Sequence, residues 1–148
     1  MKFLGPLVAV LVGALLPLQA LVNARLGQLT QGAVFASLAS FMVGTAALAA
    51  LWLAGRPALS GGWPQPPWWA WTGGLIGAAF VAAATLLVPR LGAAALICLV
   101  VLGQLAGSLL LDHFGVLHAR IPMDAGRLAG VALVAAGALL VVRPWQAG

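Results

Sequence analysis

Residues 103–115 read GQLAGSLLLDHFG and carry much of the chain's chemical capacity. Gln104, Ser108 and Asp112 recur every four residues, which puts them on one face of a helix. His113 follows at once, and imidazole is the side chain that changes charge near neutral pH. Asp112 and His113 could therefore pair, and a proton-coupling role is conceivable. The alternative, which the terminal position favours, is a structural or gating role: a carboxylate resists full insertion and fixes how far its helix enters. Gln19 and Asn23 repeat the four-residue interval earlier in the chain, and Ser37, Ser40 and Thr45 add hydroxyls between. No nucleophile accompanies Asp112–His113, so an enzyme is not expected. Cys98 is the sole cysteine, and no Cys/His metal spacing occurs. No glycine loop ending in Lys-Ser/Thr offers a phosphate cradle, so no cofactor is implied.

The elements that hold these residues must lie in lipid. The 148 residues are 64% hydrophobic and 6% charged, with a mean hydropathy of +1.12. A water-exposed domain could not cover its surface with so few charges. The net charge of +5 is not a nucleic-acid footprint, because the seven Lys/Arg stand singly between apolar runs. Contact with anionic lipid head groups is the simpler reading.

Apolar stretches at 3–24, 33–53, 68–88, 93–111 and 127–142 are each close to the span length of about 17–25 residues. Helices are required, because lipid offers backbone amides no partners and no alternating strand pattern occurs. The expected fold is an all-α integral membrane protein, a bundle of five transmembrane helices forming one domain over 1–148. The first stretch resembles a signal peptide at Lys2 but is too long, and is read as a retained span. Arg25-Leu26-Gly27 and Arg90-Leu91-Gly92 both suit a helix end, where a cation meets the negative dipole and glycine turns the chain. The Pro/Gly-rich segment 54–67 is the longest break. Trp52, Trp63, Trp68, Trp69 and Trp71 cluster around it as an interfacial belt.

Five spans would put Lys2, Arg56, Arg120 and Arg127 on one face and Arg25, Arg90 and Arg143 on the other. This near balance favours a cytoplasmic N-terminus only weakly and leaves two arrangements open. Either the chain has one orientation, or it inserts both ways and pairs as an antiparallel dimer that reproduces an inverted repeat. Small residues at four-residue spacing, Gly73 with Gly77 and Gly103 with Gly107 among them, are expected to pack helices. Pro17 interrupts the backbone ladder of the first helix.

An amide facing acyl chains leaves donors and acceptors unpaired, so Gln19, Asn23 and Gln104 are expected to face protein or a wet path. Interhelical hydrogen bonding and a polar path for a small solute both satisfy that requirement, and Ser108 is grouped with them. The serines and threonines can also bond their own helix backbone. His118 and Asp124 are expected in the loop between the last two helices, facing water.

Together these residues resemble one family along the whole chain. Gln19-x-x-x-Asn23-x-Arg25-Leu26-Gly27, Ser40-Phe41-x-x-Gly44, Gly73-Gly74-x-x-Gly77, Pro89-Arg90-Leu91-Gly92-Ala93, Gly103-Gln104 and Asp112-His113-Phe114-Gly115 look like the YdcZ-like small membrane proteins of the drug/metabolite transporter superfamily. The resemblance implies a five-helix unit akin to half of a ten-helix transporter, and hence a dimer. It also implies transport of small organic solutes across the bacterial inner membrane. It points to Gln19, Asn23 and Gln104 as cavity lining, with Asp112 less certain. The related four-helix multidrug exporters use a glutamate in their first helix. This first helix has no acid, so their proton–drug exchange does not transfer.

The leading expectation is thus a secondary transporter with lipid, a small organic solute and a second copy or a paralogous subunit as partners. The alternative is a non-transporting accessory or assembly subunit that needs its amides only for packing.

Overall fold

A computed structural model describes residues 4–55 and 65–143. Lys2, Arg56 and Trp63, invoked above for charge balance and the aromatic belt, lie outside the described residues. The described chain is helical throughout and contains no strand. Its elements are α1 (Leu4–Leu29), α2 (Ala33–Ala54), a 3₁₀ turn (Trp68–Thr72), α3 (Gly73–Leu91), α4 (Ala93–Phe114) and α5 (Ala125–Val142). With the 3₁₀ turn joined to α3, five segments are long and apolar enough to cross a membrane. Most of their large apolar side chains are exposed on the single chain, as lipid solvation requires. The chain forms two compact units, Met1–Pro89 and Arg90–Gly148.

In the first unit, α1 runs five residues beyond the expected end at Ala24. Arg25-Leu26-Gly27 is therefore helical. The turn falls at Gly32, whose φ of 97° suits glycine. Gly27 serves a different purpose. A Cβ there would lie 3.2 Å from the backbone nitrogen of Ala33, so glycine lets the antiparallel hairpin close. Arg90-Leu91-Gly92 does behave as expected, with α3 ending at Leu91 and Gly92 at φ 79°.

The hairpin register then orders the unit in layers. One turn away from Gly27 and Ala33 stand Asn23 on α1 and Ser37 on α2, and Ser37 meets Thr85 of α3 at 3.5 Å. All three side chains are buried, walled by the buried Ala20, Ala24, Ala36, Ala84 and Val88. A further turn away, the Phe41 ring lies 3.6 Å from the position a Gly77 Cβ would take. Gly77 thus packs an aromatic ring. Gly73, Gly103 and Gly107 have no neighbouring atom within 4 Å of a would-be Cβ.

In the second unit α4 extends to Phe114 rather than Leu111, and α5 begins at Ala125 rather than Arg127. Asp124 explains the second difference. Its carboxylate accepts from the Arg127 backbone N–H at 2.8 Å, an N-cap that lets the helix start two residues earlier. At the other junction Gly115, at φ 66°, closes α4 in a Schellman-type turn. The N–H of Val116 donates to Leu111 O at 3.0 Å and that of Gly115 to Asp112 O at 3.2 Å.

Candidate functional site

The α4–α5 junction holds the densest polar geometry of the described chain. The helix end leaves carbonyls unpaired, and the loop supplies donors for them. Asp112 O also accepts from Ile121 N–H at 2.9 Å, and His113 O accepts from Arg120 Nε–H at 2.8 Å. Satisfying these carbonyls locally lets α4 end near the membrane surface without exposing bare acceptors to lipid.

Side chains complete the junction. Arg127 Nη1 donates to Asp112 Oδ2 at 3.1 Å, and His118 Nε2 stands 3.2 Å from Asp112 Oδ1. Arg127 Nε also lies 3.9 Å from Asp124 Oδ2. The pairing of Asp112 with His113 suggested by their adjacency does not occur. Successive helical residues point about 100° apart, so Asp112 turns to α5 and the loop. His113 instead accepts the Met123 backbone N–H at its Nδ1, at 3.3 Å. His118 and Asp124, expected to face water, are partly exposed yet engaged, the first in the ion pair and the second as the α5 cap.

This cluster closes one end of an open groove between α4 and α5, of about 420 Å³, lined by Leu105, Ser108, Leu109, Asp112, Arg127, Gly130, Val131 and Val134. Its walls are apolar, with Ser108 part-way along and the Asp112–Arg127 pair at the end. Gly130 leaves one wall open, since no atom lies within 4 Å of its would-be Cβ. The groove brings together Ser108 and Asp112. Gln104, one turn further into the helix, is exposed and does not line it. Sequence reasoning missed Arg127 as a site residue. The pairing signal was Asp112 and Arg127 on either side of a short loop, which a count of charges by membrane face obscures.

In the first unit, Asn23 is 4% exposed and its Nδ2 has no hydrogen-bond partner. Its layer mates have spent their protons: Ser37 Oγ donates to Ala33 O at 2.8 Å and Thr85 Oγ1 to Val81 O at 2.8 Å. These are the self-bonding contacts expected of hydroxyls in apolar helices. Asn23 Nδ2 keeps its N–H donors to offer. Two shallow grooves of about 200 Å³ adjoin this layer. One is lined by Ala24, Gly27, Gln28, Ala33, Thr85, Leu86 and Pro89, the other by Leu21, Ala24, Arg25, Gln28, Val88 and Pro89. Gln19, one turn from Asn23, is exposed on the surface of α1. Among the described residues no group of His, Cys, Asp or Glu is arranged to hold a metal ion. Cys98 is a half-buried free thiol within α4.

The comparisons with known proteins agree with this architecture. A family model described as "Putative inner membrane exporter, YdcZ" matches residues 4–140. No match to the chain was found among curated proteins or among solved structures. With the match covering nearly the whole chain, over five segments of membrane-spanning length, this multi-pass inner-membrane protein belongs to the YdcZ family of the drug/metabolite transporter superfamily.

Proposed function

We propose that the chain is a secondary transporter that moves a small organic solute across the inner membrane as a dimer. The observation that carries this reading is the α4–α5 groove: an apolar-walled cleft of about 420 Å³ with Ser108 along it and the Asp112–Arg127 pair at its end. Pockets of a few hundred Å³ with a few placed polar groups are the form that small-molecule sites take. Asp112, His113, His118 and Arg127 form its gating end. Asn23, in the first unit, offers an unsatisfied donor of its own.

The exposed amides support the dimer. Gln104 sits near the middle of the 22-residue α4, and Gln19 lies well inside the 26-residue α1, both on the surface of the single chain. Leaving an amide against acyl chains costs on the order of 1–3 kcal/mol. A second copy, antiparallel or parallel, or a paralogous subunit would cover both amides.

The test is purified protein in liposomes, with solid-supported-membrane currents recorded against panels of amines, amino acids, sugars and organic anions. Gln104→Leu is compared with the native chain. A transporter loses current in the variant while the protein still elutes as the native oligomer. Loss of the oligomer with no current from either protein supports the accessory-subunit reading instead.

A further inference from the structure

The α4–α5 groove is graded along its length. Asp112 and Arg127 stand at one end, in the last turn of α4 and the first turn of α5. Ser108 lies one turn further in, and Leu105 and Val134 stand about 10 Å inward along their helices. The polar groups are only partly used. Arginine has five N–H donors. Arg127 Nη1 serves Asp112 at 3.1 Å, and Nε stands 3.9 Å from Asp124, too far for a hydrogen bond. A carboxylate has about four lone-pair sites, and Asp112 meets Arg127 and His118. The Arg127 and Asp112 side chains remain 37% and 29% exposed. Ser37 and Thr85 donate to carbonyls of their own helices, whereas Ser108 has no hydrogen-bond partner among the described residues.

We propose that this groove takes a glycerophospholipid with a zwitterionic, amine-bearing head group, entering sideways from the bilayer. The inference names the ligand class of the groove and rests on reading it as a ligand site. Charge selects the head. Asp112 and Arg127 neutralise each other, so a lone cation would be repelled by Arg127 and a lone anion by Asp112. A phosphate against the spare Arg127 N–H groups, with its ammonium against Asp112, satisfies both.

The order of groups selects the rest. In a glycerophospholipid, ester carbonyls follow the phosphate and hydrocarbon follows the esters. The groove runs in the same order: ion pair, hydroxyl, apolar wall. Ser108 donates to an ester carbonyl, and the walls out to Leu105 and Val134 take an acyl chain. Gly130 has no atom within 4 Å of its would-be Cβ, which leaves room for that chain. A water-soluble zwitterion would leave these walls uncovered, whereas a lipid brings its chain at the depth it occupies in the bilayer.

The test follows the aggregation temperature of the full-length protein in detergent, which a ligand of the folded state raises with concentration. Short-chain phosphatidylethanolamine raises it. Phosphatidylglycerol with the same chains lacks the ammonium and needs about tenfold more for the same rise. Glycerophosphoethanolamine, the head without chains, gives none. Gly130→Leu fills the groove wall and removes the response, while Gly103→Leu, which is not in the groove, keeps it. Ser108→Ala weakens binding about threefold and carries the test if Gly130→Leu fails to fold. Equal responses to the two lipids, a response to the chain-free head, or one that survives Gly130→Leu in folded protein overturns the proposal. Loss of the native oligomer in Gly130→Leu also overturns it, because a second copy would then be what covers the groove. Solute currents in liposomes without head-group selectivity sink this inference and leave the transporter reading intact. Selective lipid binding with no current from any solute supports the site and counts against transport.

Discussion

The two units solve the same problem, polar groups in an apolar chain, in opposite ways. The Met1–Pro89 unit contains no acidic residue. Its buried polar side chains are neutral, Asn23, Ser37 and Thr85, and the hydroxyls bond their own helices. The Arg90–Gly148 unit contains both acids, and it gathers them with Arg120, Arg127 and His118 at one helix junction. The difference follows from cost. A neutral amide or hydroxyl can be buried if backbone carbonyls take its protons, whereas an ion pair away from water must recover several kcal/mol per ion. Hydroxyls therefore sit within the bundle and ion pairs collect where α4 ends. One polar atom breaks the pattern, Asn23 Nδ2, buried without a partner.

The largest expected effect comes from disturbing the close approach that builds the first unit. Gly27→Leu places side-chain atoms against the backbone of Gly32 and Ala33, 3.2 Å from the would-be Cβ. It should cost on the order of 1–3 kcal/mol, read as a lower aggregation temperature in detergent. The same substitution at Gly103, which has open space around it, should leave that temperature nearly unchanged. Equal losses at both positions would erase the distinction drawn between these glycines.

Next is the second unit's junction. Asp124→Ala removes the α5 N-cap at 2.8 Å and should cost about 1 kcal/mol. Hydrogen exchange should speed up over the first turn of α5 while α1 and α2 stay protected. Spread of the effect into the first unit would show that the two are not separately stabilised.

The smallest effect on stability has the opposite sign. Asn23→Leu exchanges an unsatisfied buried donor for an apolar side chain and should stabilise the fold by up to about 1 kcal/mol. Any transport activity should be lost at the same time. A destabilised variant with unchanged flux would make Asn23 a packing residue of the first unit.

Much of this was legible in the sequence. The five spans follow from hydropathy and length alone, and their centres fell where expected. Ends moved because they depend on local chemistry: the Asp124 cap advanced α5, and the Schellman turn at Gly115 extended α4. The two Arg-Leu-Gly matches illustrate the limit. In Arg90-Leu91-Gly92 the glycine turns the chain, while in Arg25-Leu26-Gly27 it lets two helices touch, and identical triplets carry no sign of which. The site divided similarly. Ser108 and Asp112 share a groove as their spacing implied, but Gln104 lies outside it.

By itself the sequence determined the solvent, the secondary structure and the scarcity of charge, because these depend on composition and short-range periodicity. Tertiary structure decided who pairs with whom. Asp112 took Arg127 and His118 over its neighbour His113, and Ser37 met Thr85, because those contacts depend on helix rotation and hairpin register. A one-residue change in either rotates a side chain by about 100°, and linear spacing records neither.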